Sequence, residues 1–236
     1  DFVINGSKHF ISHADVADFV ILCAATGEAG GKKTISCFLV DFDTPGLTRR
    51  RGPKCVSHRG YHQCELIFED CRVPESQVLG ELGRGYAPMQ LRLNVRRLQM
   101  GARCVGMTRR ALDMMADQAR NRVTFGVRLA DRQAIQWWVA EAATRMHACK
   151  LMVADLAAKL DAGADVRMEA SMLKVEGTEM AQDILDQAMQ TFGAMGVTKE
   201  LPLQLMHQQV RLMRVYEGPS EVHRSAIGRR ILGSKV

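Results

Sequence analysis

Residues 215–223 place a single carboxylate directly beside a break in helical sequence. Glu217 is followed at once by Gly218 and Pro219. Proline is favoured at the start of a helix, and the backbone N–H groups of a helix start attract anions such as phosphate. A carboxylate at this point can act as a general base next to a phosphate-bearing ligand. A solvated glutamate in an ordinary turn between helices gives the same pattern, so this segment alone leaves both interpretations open.

Two further segments carry residue types that suit a phosphate-bearing, planar ligand. Arg122 and Phe125 close the first helical region, and arginine binds phosphate bidentately while phenylalanine covers a flat ring. Gly193 and Gly196 lie in residues 190–196 and would allow a backbone to approach a ligand closely. The alternatives are an arginine that complements a helix dipole, a core phenylalanine and a simple glycine helix stop.

A fourth candidate is the strand around Phe10 and Ser12. Alternation along a strand puts these two side chains on the same face. An aromatic ring and a hydroxyl side by side could flank a planar cofactor. An edge strand with Phe10 in the core is the alternative interpretation.

The first part of the chain predicts β structure. Asn5-Gly6 is a strong hairpin signal, and it predicts a turn between strands at residues 2–4 and 8–11. Further strands are predicted at residues 19–22, 34–40 and 64–69. Because these strands follow one another closely, with turns and no helices between them, we expect antiparallel pairing.

The chain after Gly85 predicts helices. No proline occurs between Pro88 and Pro202, and good helix formers dominate. One helix is predicted at about 87–121, a second from an N-cap at Asp131 to residues 162–163, and a third from a cap at Asp165 to Gly193. Shorter helices should follow Pro202 and Pro219. An apolar stripe at spacings of three and four marks one buried face of the second helix. Long helices joined by short loops predict an antiparallel bundle. The members of this stripe are Ile135, Trp138, Ala142, Met146, Cys149, Val153, Leu156 and Leu160.

Composition excludes several classes of protein. Of 236 residues, 47% are hydrophobic and 25% are charged, which is typical of a folded globular chain and not of disorder. No apolar run is long enough to span a membrane. The net charge is +6, but the arginines are scattered among acidic residues, so nucleic-acid binding is not favoured. Seven cysteines without a CxxC motif favour reduced thiols over a disulfide framework or a metal site.

Taken together and in order, these motifs resemble the acyl-CoA dehydrogenase family. The resemblance rests on residues 5–12, 66–74 with 79–85, 122–126, 190–196 and 216–218, and it spans the chain. Residues 218–223 resemble the subgroup that contains vertebrate family members ten and eleven. The resemblance implies an α+β, mainly α fold: an antiparallel part of the middle β domain over residues 1–78, then a C-terminal antiparallel four-helix bundle over 79–236. The chain begins inside an apparent strand, so we expect it to be a fragment that lacks the family's N-terminal helical domain.

The resemblance also implies roles for individual residues. Glu217 matches the base that removes the α-proton of an acyl-CoA, while a hydride passes from Cβ to flavin N5 and leaves a 2-enoyl-CoA. Arg96 occupies the position where some members carry the base, and an arginine cannot serve as one. Asn94 and Arg97 match substrate-side positions. The positions that match FAD contacts, several of them to a neighbouring subunit's FAD, are Phe10, Ser12, Arg122, Thr124, Phe125, Gln133, Gln190, Gly193, Ala194, Gly218, Ser220 and Glu221.

The resemblance implies partners as well. They are an acyl-CoA substrate, an electron-transferring flavoprotein as electron acceptor, and further copies of the chain in a homodimer or homotetramer. The implied compartment is the bacterial cytoplasm or the mitochondrial matrix. Two alternatives stay open: a flavin oxidase or monooxygenase of the same fold that uses O2, and a non-catalytic helical interaction module. Phe10, Ala194 and Pro219 stand where the family usually has Trp, Gly and Thr.

Overall fold

A computed structural model describes residues 1–57, 59–60 and 62–233 of the chain. The contacts divide the chain into two compact units, Asp1–Arg92 and Leu93–Val236. The predicted domain boundary between residues 78 and 79 stays a prediction.

The first unit consists of antiparallel sheets. Strands β1 (Phe2–Ser12), β5 (Gln63–Val73) and β4 (Leu47–Arg51) form one sheet in that order, and β2 (Phe19–Ala29), β3 (Lys32–Asp41) and β6 (Val78–Leu79) form another. The short strands β4 and β6 were not predicted from the sequence. Alternate residues of β5, among them Cys64, Leu66 and Phe68, are buried with Phe38 and Val40 of β3 in one apolar core. Each pair of neighbouring strands in the two sheets is antiparallel, so the predicted antiparallel pairing is confirmed.

The hairpin predicted at Asn5-Gly6 is wrong. Residues 2–12 form one strand that pairs with β5, and its register shifts between Ile4 and Gly6. Asn5 Oδ1 accepts a hydrogen bond of 2.8 Å from the backbone N–H of Asp70, and Asn5 Nδ2 donates to Asp70 Oδ1 at 3.1 Å. The Asn-Gly pair thus forms a bulge against β5, because its side-chain partner lies far along the chain and not in a local turn.

The second unit is helical, and the helices of the chain confirm most of the predicted pattern; residues 86–92 of the first helix belong to the first unit. Their bounds are α1 Tyr86–Asn121, α2 Gln133–Asp161, α3 Arg167–Phe192, α4 Leu203–Met213 and α5 Ser220–Leu232, with a small hairpin of β7 (Val123–Thr124) and β8 (Val127–Arg128) between α1 and α2. The predicted stripe of α2 faces the core: Ile135, Ala142, Cys149 and Leu156 are buried. No helix in the described residues has the length and apolar character that crossing a bilayer requires.

The predicted helix caps differ from the observed ones. Asp131 does not cap α2, because its carboxylate is bound to Arg128 at 2.9 and 3.0 Å and the N-cap residue is Arg132. Asp165 lies one residue before the N-cap of α3, although its Oδ1 accepts the N–H of Arg167 at 3.2 Å. Pro219 is the N-cap of α5 and not its first helical residue.

Helices α1 and α3 pack closely through two glycines. A Cβ atom on Gly101 would lie 2.6 Å from the Leu173 side chain, and one on Gly177 would lie 3.5 Å from the Cα of Gly101. Glycine is therefore required at position 101, whereas a Cβ at position 177 would make ordinary van der Waals contact. Arg97 of α1 and Lys174 of α3 lie one turn before these glycines. Both side chains reach the turn that follows α4, where they donate to the carbonyl oxygens of Glu217 and Arg214.

Candidate active site

Glu217 lies in the turn between α4 and α5, in a left-handed backbone conformation. Its φ is +56°, and that of Gly218 is +95°. A left-handed glutamate costs roughly 1 kcal/mol or more, so the surroundings must hold it. The Glu217 side chain is 15% exposed, which leaves the carboxylate partly accessible.

Side chains from α1, α3 and α5 bind the backbone of this turn. Arg97 donates to the Glu217 carbonyl oxygen from Nε at 3.3 Å and from Nη2 at 3.2 Å. His223 Nε2 lies 3.1 Å from the same oxygen. Lys174 Nζ donates to the carbonyl oxygen of Arg214 at 3.0 Å. Donors from separate helices therefore fix the two ends of the turn that carries Glu217.

The electrostatic surroundings of the turn are positive. Lys174 is fully buried, and burial lowers its pKa to about 8, helped by the nearby positive charge of Arg97. Arg96 Nε lies 3.8 Å from Glu217 Oε1, and its side chain is 47% exposed. The Arg96 guanidinium therefore lies beside the Glu217 carboxylate and is itself accessible from solvent.

Asn94 and Arg97, the predicted substrate residues, are engaged inside the helical unit. Asn94 is buried, and its Oδ1 lies 3.5 Å from Arg97 Nη1. Arg97 directs its guanidinium at the Glu217 carbonyl. The structure thus gives Arg97 a role in holding the Glu217 backbone, and substrate contact by Asn94 or Arg97 stays a prediction.

Four predicted cofactor residues cluster at the β7–β8 hairpin. Phe125 and Gly126 form its tip with φ values of +51° and +76°, as a type I′ turn requires. The Phe125 side chain is fully exposed, whereas a core residue would be buried. Arg132 Nη2 anchors the hairpin by donating to Thr124 O at 2.7 Å and to Thr124 Oγ1 at 3.2 Å. The exposed Arg122 and Gln133 flank the hairpin at the end of α1 and the first residue of α2.

The glycine-containing segment after α3 uses its two glycines differently. Gly193 ends the helix with φ +60°, and a Cβ at this position would meet no atom within 4 Å. Gly196 lies after the end of α3 and packs back against it, where a Cβ would lie 2.0 Å from Met189 O. Gln190, Gly193 and Ala194 are all exposed. Gly193 therefore suits a close approach by a ligand, while Gly196 serves the local fold.

The start of α5 is more fully bonded than its sequence predicts. Ser220 N–H donates to Arg214 O at 3.3 Å, and Val222 and His223 N–H donate to Pro219 O at 3.0 and 3.3 Å. The expectation that these N–H groups are free for phosphate is therefore wrong for these three residues. Glu221 is exposed in the first turn.

Ser220 is buried in the same turn, close to an acidic residue of α3. Burial by itself would raise the pKa of Glu179, but the hydrogen bond and the positive charge of Arg224 outweigh it and lower that pKa. Gly218 is required locally, because a Cβ there would lie 2.9 Å from His223 Nε2. Contacts of Gly218, Ser220 and Glu221 with FAD stay predictions.

Phe10 and Ser12 lie at the end of β1, in the first unit. Phe10 is 59% exposed with φ +56°, and the register of β1 shifts between Lys8 and Ile11. Simple alternation does not run through such a bulge, so the argument that put the two side chains on one face does not apply. Ser12 Oγ accepts a hydrogen bond of 3.2 Å from Gln63 Nε2. Phe10 is thus an exposed aromatic ring and not a core residue.

Sequence reasoning missed Lys174 and Ser171, and it gave His223 no role. Lys174 interrupts the buried face of α3 between Leu173 and Gly177, and a lysine on an otherwise apolar face is a signal that could have been noticed. His223 and Ser171 carry no comparable signal, because their pairing depends on how α3 and α5 pack.

Comparison with known proteins agrees with this geometry. Residues 83–232 match the family model for the acyl-CoA dehydrogenase C-terminal domain, and residues 1–71 match that for the middle domain. The chain therefore belongs to the acyl-CoA dehydrogenase family, whose members are FAD-dependent oxidoreductases that act on CH–CH groups.

Individual relatives show how the similarity is distributed. The chain is 39% identical over 234 residues to (R)-benzylsuccinyl-CoA dehydrogenase of Thauera aromatica, covering 98% of this chain and 57% of that protein. It is 32% identical over 231 residues to the caffeyl-CoA reductase–Etf complex subunit CarC of Acetobacterium woodii, covering 98% and 61%. The structure of butyryl-CoA dehydrogenase from Megasphaera elsdenii superposes with a TM-score of 0.89 at 28% identity, covering 98% and 60%. The chain thus spans about three-fifths of the length of these relatives.

The exposed residues in the helical unit fit a large planar cofactor with an anionic part. Phe125 offers a fully exposed ring, and Gly193 leaves open space above an exposed backbone. Arg122, Gln133 and Gln190 add exposed donors for phosphate or amide groups. In the described residues, no group of three or more His, Cys, Asp or Glu side chains is arranged to hold a metal ion.

Proposed function

We propose that the whole protein is an FAD-dependent acyl-CoA dehydrogenase in which Glu217 is the catalytic base. The observation that carries this proposal is the Glu217 turn: a partly exposed carboxylate on a strained backbone that Arg97 and His223 hold from opposite helices. Such rigidity suits a base that must meet one C–H bond in one orientation.

The proposed reaction removes a proton from Cα and a hydride from Cβ of the acyl-CoA. Glu217 takes the α-proton and becomes a carboxylic acid, and the electron pair left behind forms the Cα–Cβ double bond. When bound, FAD accepts the hydride that leaves Cβ. Arg97 holds the backbone of the base during this step, and Glu217 later returns its proton to solvent.

The proposal includes partners. Because one relative is named as a subunit of a complex with an electron-transferring flavoprotein, we propose such a protein as the electron acceptor. The exposed Phe125 hairpin supports assembly into a homodimer or homotetramer, in which this ring would be covered. Similar proteins include bacterial and mitochondrial enzymes, so the bacterial cytoplasm or the mitochondrial matrix is the proposed compartment.

The experiment is anaerobic mixing of the purified, FAD-loaded protein with a panel of acyl-CoA thioesters. We expect at least one thioester to bleach the flavin absorbance and to yield a 2-enoyl-CoA. Glu217→Gln is the matched control, because its amide has nearly the same shape but cannot accept a proton. We expect it to bind FAD and to bleach about 10²–10⁴-fold more slowly. A protein that binds FAD but is bleached by no thioester would contradict the proposal, and rapid reoxidation by O2 would favour the oxidase alternative.

A further inference from the structure

His223 of α5 occupies the buried side of the Glu217 turn. Its side chain is only 2% exposed. Nε2 lies 3.1 Å from the carbonyl oxygen of Glu217, and Nδ1 lies 3.0 Å from Oγ of Ser171 on α3. A carbonyl oxygen can only accept a hydrogen bond, so the contact with Glu217 requires the proton to be on Nε2.

The imidazole is neutral at physiological pH. Burial lowers the pKa of His223 to about 4. The positive charges of Arg97 and Lys174 also lower this pKa, and the hydrogen bond to Glu217, which raises it, does not offset them. A neutral imidazole carries one N–H, so a proton on Nε2 leaves Nδ1 as an acceptor. Ser171 can then donate its hydroxyl proton to Nδ1. The same hydroxyl also lies 2.8 Å from Arg167 O, the usual partner of a serine inside a helix. A hydroxyl has one proton, and a proton on Nε2 of His223 is matched by the arrangement in which Ser171 donates to Nδ1.

The contact falls at the residue whose orientation matters for catalysis. The Cα–Cβ bond of Glu217 leaves the backbone beside the carbonyl that His223 binds, and this residue is left-handed at φ +56°. Arg97 binds the same oxygen from α1 at 3.2 and 3.3 Å. Two donors on one carbonyl oppose relaxation of the turn, which would swing the carboxylate away from the substrate.

We propose that His223 is a positioning residue for the catalytic base: its Nε2–H fixes the Glu217 carbonyl, and Ser171 selects the tautomer that can do so. This inference rests on the proposed function, because it concerns the orientation of Glu217 as a base. His223 is 2% exposed and contacts the Glu217 carbonyl, so the proposed role acts through Glu217.

The test compares two substitutions of His223 in the FAD-loaded whole protein. His223→Leu removes the donor and keeps an apolar side chain, whereas His223→Gln keeps an N–H that can reach the carbonyl. We expect His223→Leu to lower kcat about 10–100-fold, as misplacement of a reacting group by about 1 Å can do. KM should change less than about threefold, because binding of the substrate before the reaction does not depend on the orientation of the Glu217 carboxylate. His223→Gln should restore most of the lost rate.

A second readout isolates proton removal from hydride transfer. A 3-thia-acyl-CoA has sulfur at the β position and cannot give up a hydride, but its α-protons exchange with D2O when the base acts. We expect His223→Leu to slow this exchange, measured by mass spectrometry, by the same factor as kcat. Equal loss in the Leu and Gln variants, or slowed turnover with unchanged exchange, would overturn the proposal.

Ser171→Ala tests the tautomer without touching the imidazole, and it decides the question if His223→Leu does not fold. Its matched control is Thr178→Val, which removes a buried hydroxyl of the same helix that bonds only to Lys174 O and Val175 O. We expect Ser171→Ala to lower kcat and exchange several-fold and Thr178→Val to leave them near the wild-type values. Equal effects of the two changes would count against Ser171 as the selector.

The outcomes separate this inference from the proposed function. If the wild-type protein neither bleaches with any acyl-CoA nor exchanges the α-proton, the proposed function fails and the inference fails with it. If the wild type is active, Glu217→Gln is inactive and His223→Leu is normal, the inference alone fails. The tautomer is read directly by 15N NMR of labelled histidine, where we expect neutral His223 with its proton on Nε2. A proton on Nδ1 would contradict the proposal.

Discussion

The Arg96 guanidinium reaches the carboxylate of Glu217: Nε and Oε1 are 3.8 Å apart. Arg96 also donates to Gln99 Oε1 at 3.1 Å, one turn along α1. Because the Arg96 side chain is about half exposed, this ion pair contributes little to stability. Its consequence concerns the proposed function, because it puts a cation beside the carboxylate that we propose as the base.

Replacement of Arg96 should change the preference between acyl groups. We expect Arg96→Met to lower kcat/KM for glutaryl-CoA about tenfold more than for pentanoyl-CoA, because a hydrogen bond to a charged group contributes about 1.5–3 kcal/mol. The two thioesters have the same number of acyl carbons and differ in the second carboxylate. Arg96→Lys, which retains the charge, is the control. An equal effect of Arg96→Met on both substrates would show that Arg96 does not contact the acyl group.

Gly218→Ala should disrupt the turn that carries Glu217, the proposed base. The new Cβ would lie 2.9 Å from His223 Nε2, on a backbone with φ +95° that alanine disfavours. We expect a loss of about 1–3 kcal/mol in the free energy of unfolding, measured by urea denaturation, together with a lower kcat.

The matched control for Gly218→Ala is Gly228→Ala in helix α5. A Cβ on Gly228 would meet no atom within 4 Å. Alanine should therefore stabilise the helix there by roughly 0.5–1 kcal/mol. If both substitutions had the same effect on unfolding and on kcat, the contact with His223 would be of no importance.

The helices were predictable because their signals are local. Proline-free sequence and a regular apolar stripe placed α1 and α2 within two residues of their observed bounds. The Asn5-Gly6 hairpin failed because the partner of Asn5 is Asp70 on a distant strand, which no local pattern indicates. Likewise, Asp131 has the composition of an N-cap, but its carboxylate binds Arg128 instead.

The site was only partly predictable, for a related reason. Glu217 and Gly218 could be selected from a short motif. The side chains that hold them could not, because Arg97, Lys174 and His223 come together only when α1, α3 and α5 pack. The close approach of Gly101 and Gly177 sets that packing, and neither glycine stands out in the sequence.

Lys174→Met should separate stability from activity. Burial lowers the pKa of Lys174 to about 8, so the folded protein bears a cost for keeping this group charged at neutral pH. Methionine has a similar volume and no charge, and Arg214 O keeps the N–H of Ser220 as a donor. We therefore expect unchanged or higher stability, by about 0–2 kcal/mol, because replacing a buried charge with an apolar group is often neutral or stabilising.

The same substitution should lower kcat several-fold, because the turn loses one of its donors. The exposed Lys150 of α2 supplies the control substitution, Lys150→Met, which should alter neither quantity appreciably. Strong destabilisation by Lys174→Met, of about 3 kcal/mol or more, would mean that the hydrogen bond to Arg214 outweighs the cost of burial.

His223 should also make the stability of the protein depend on pH in the acid range. Its pKa is lowered from 6.5 to about 4 in the folded chain, chiefly by burial. Between these values the unfolded chain binds a proton that the folded chain does not, so stability falls as the pH decreases from about 6.5 towards 4. A shift of this size corresponds to about 3 kcal/mol. His223→Gln cannot titrate, so we expect the wild type to lose up to that amount relative to the variant between pH 7 and pH 4.

The measurement is urea denaturation of both proteins at each pH, and the difference between them cancels the contributions of the other acidic and basic groups. Parallel pH profiles for wild type and variant would show that His223 is not buried in the neutral form.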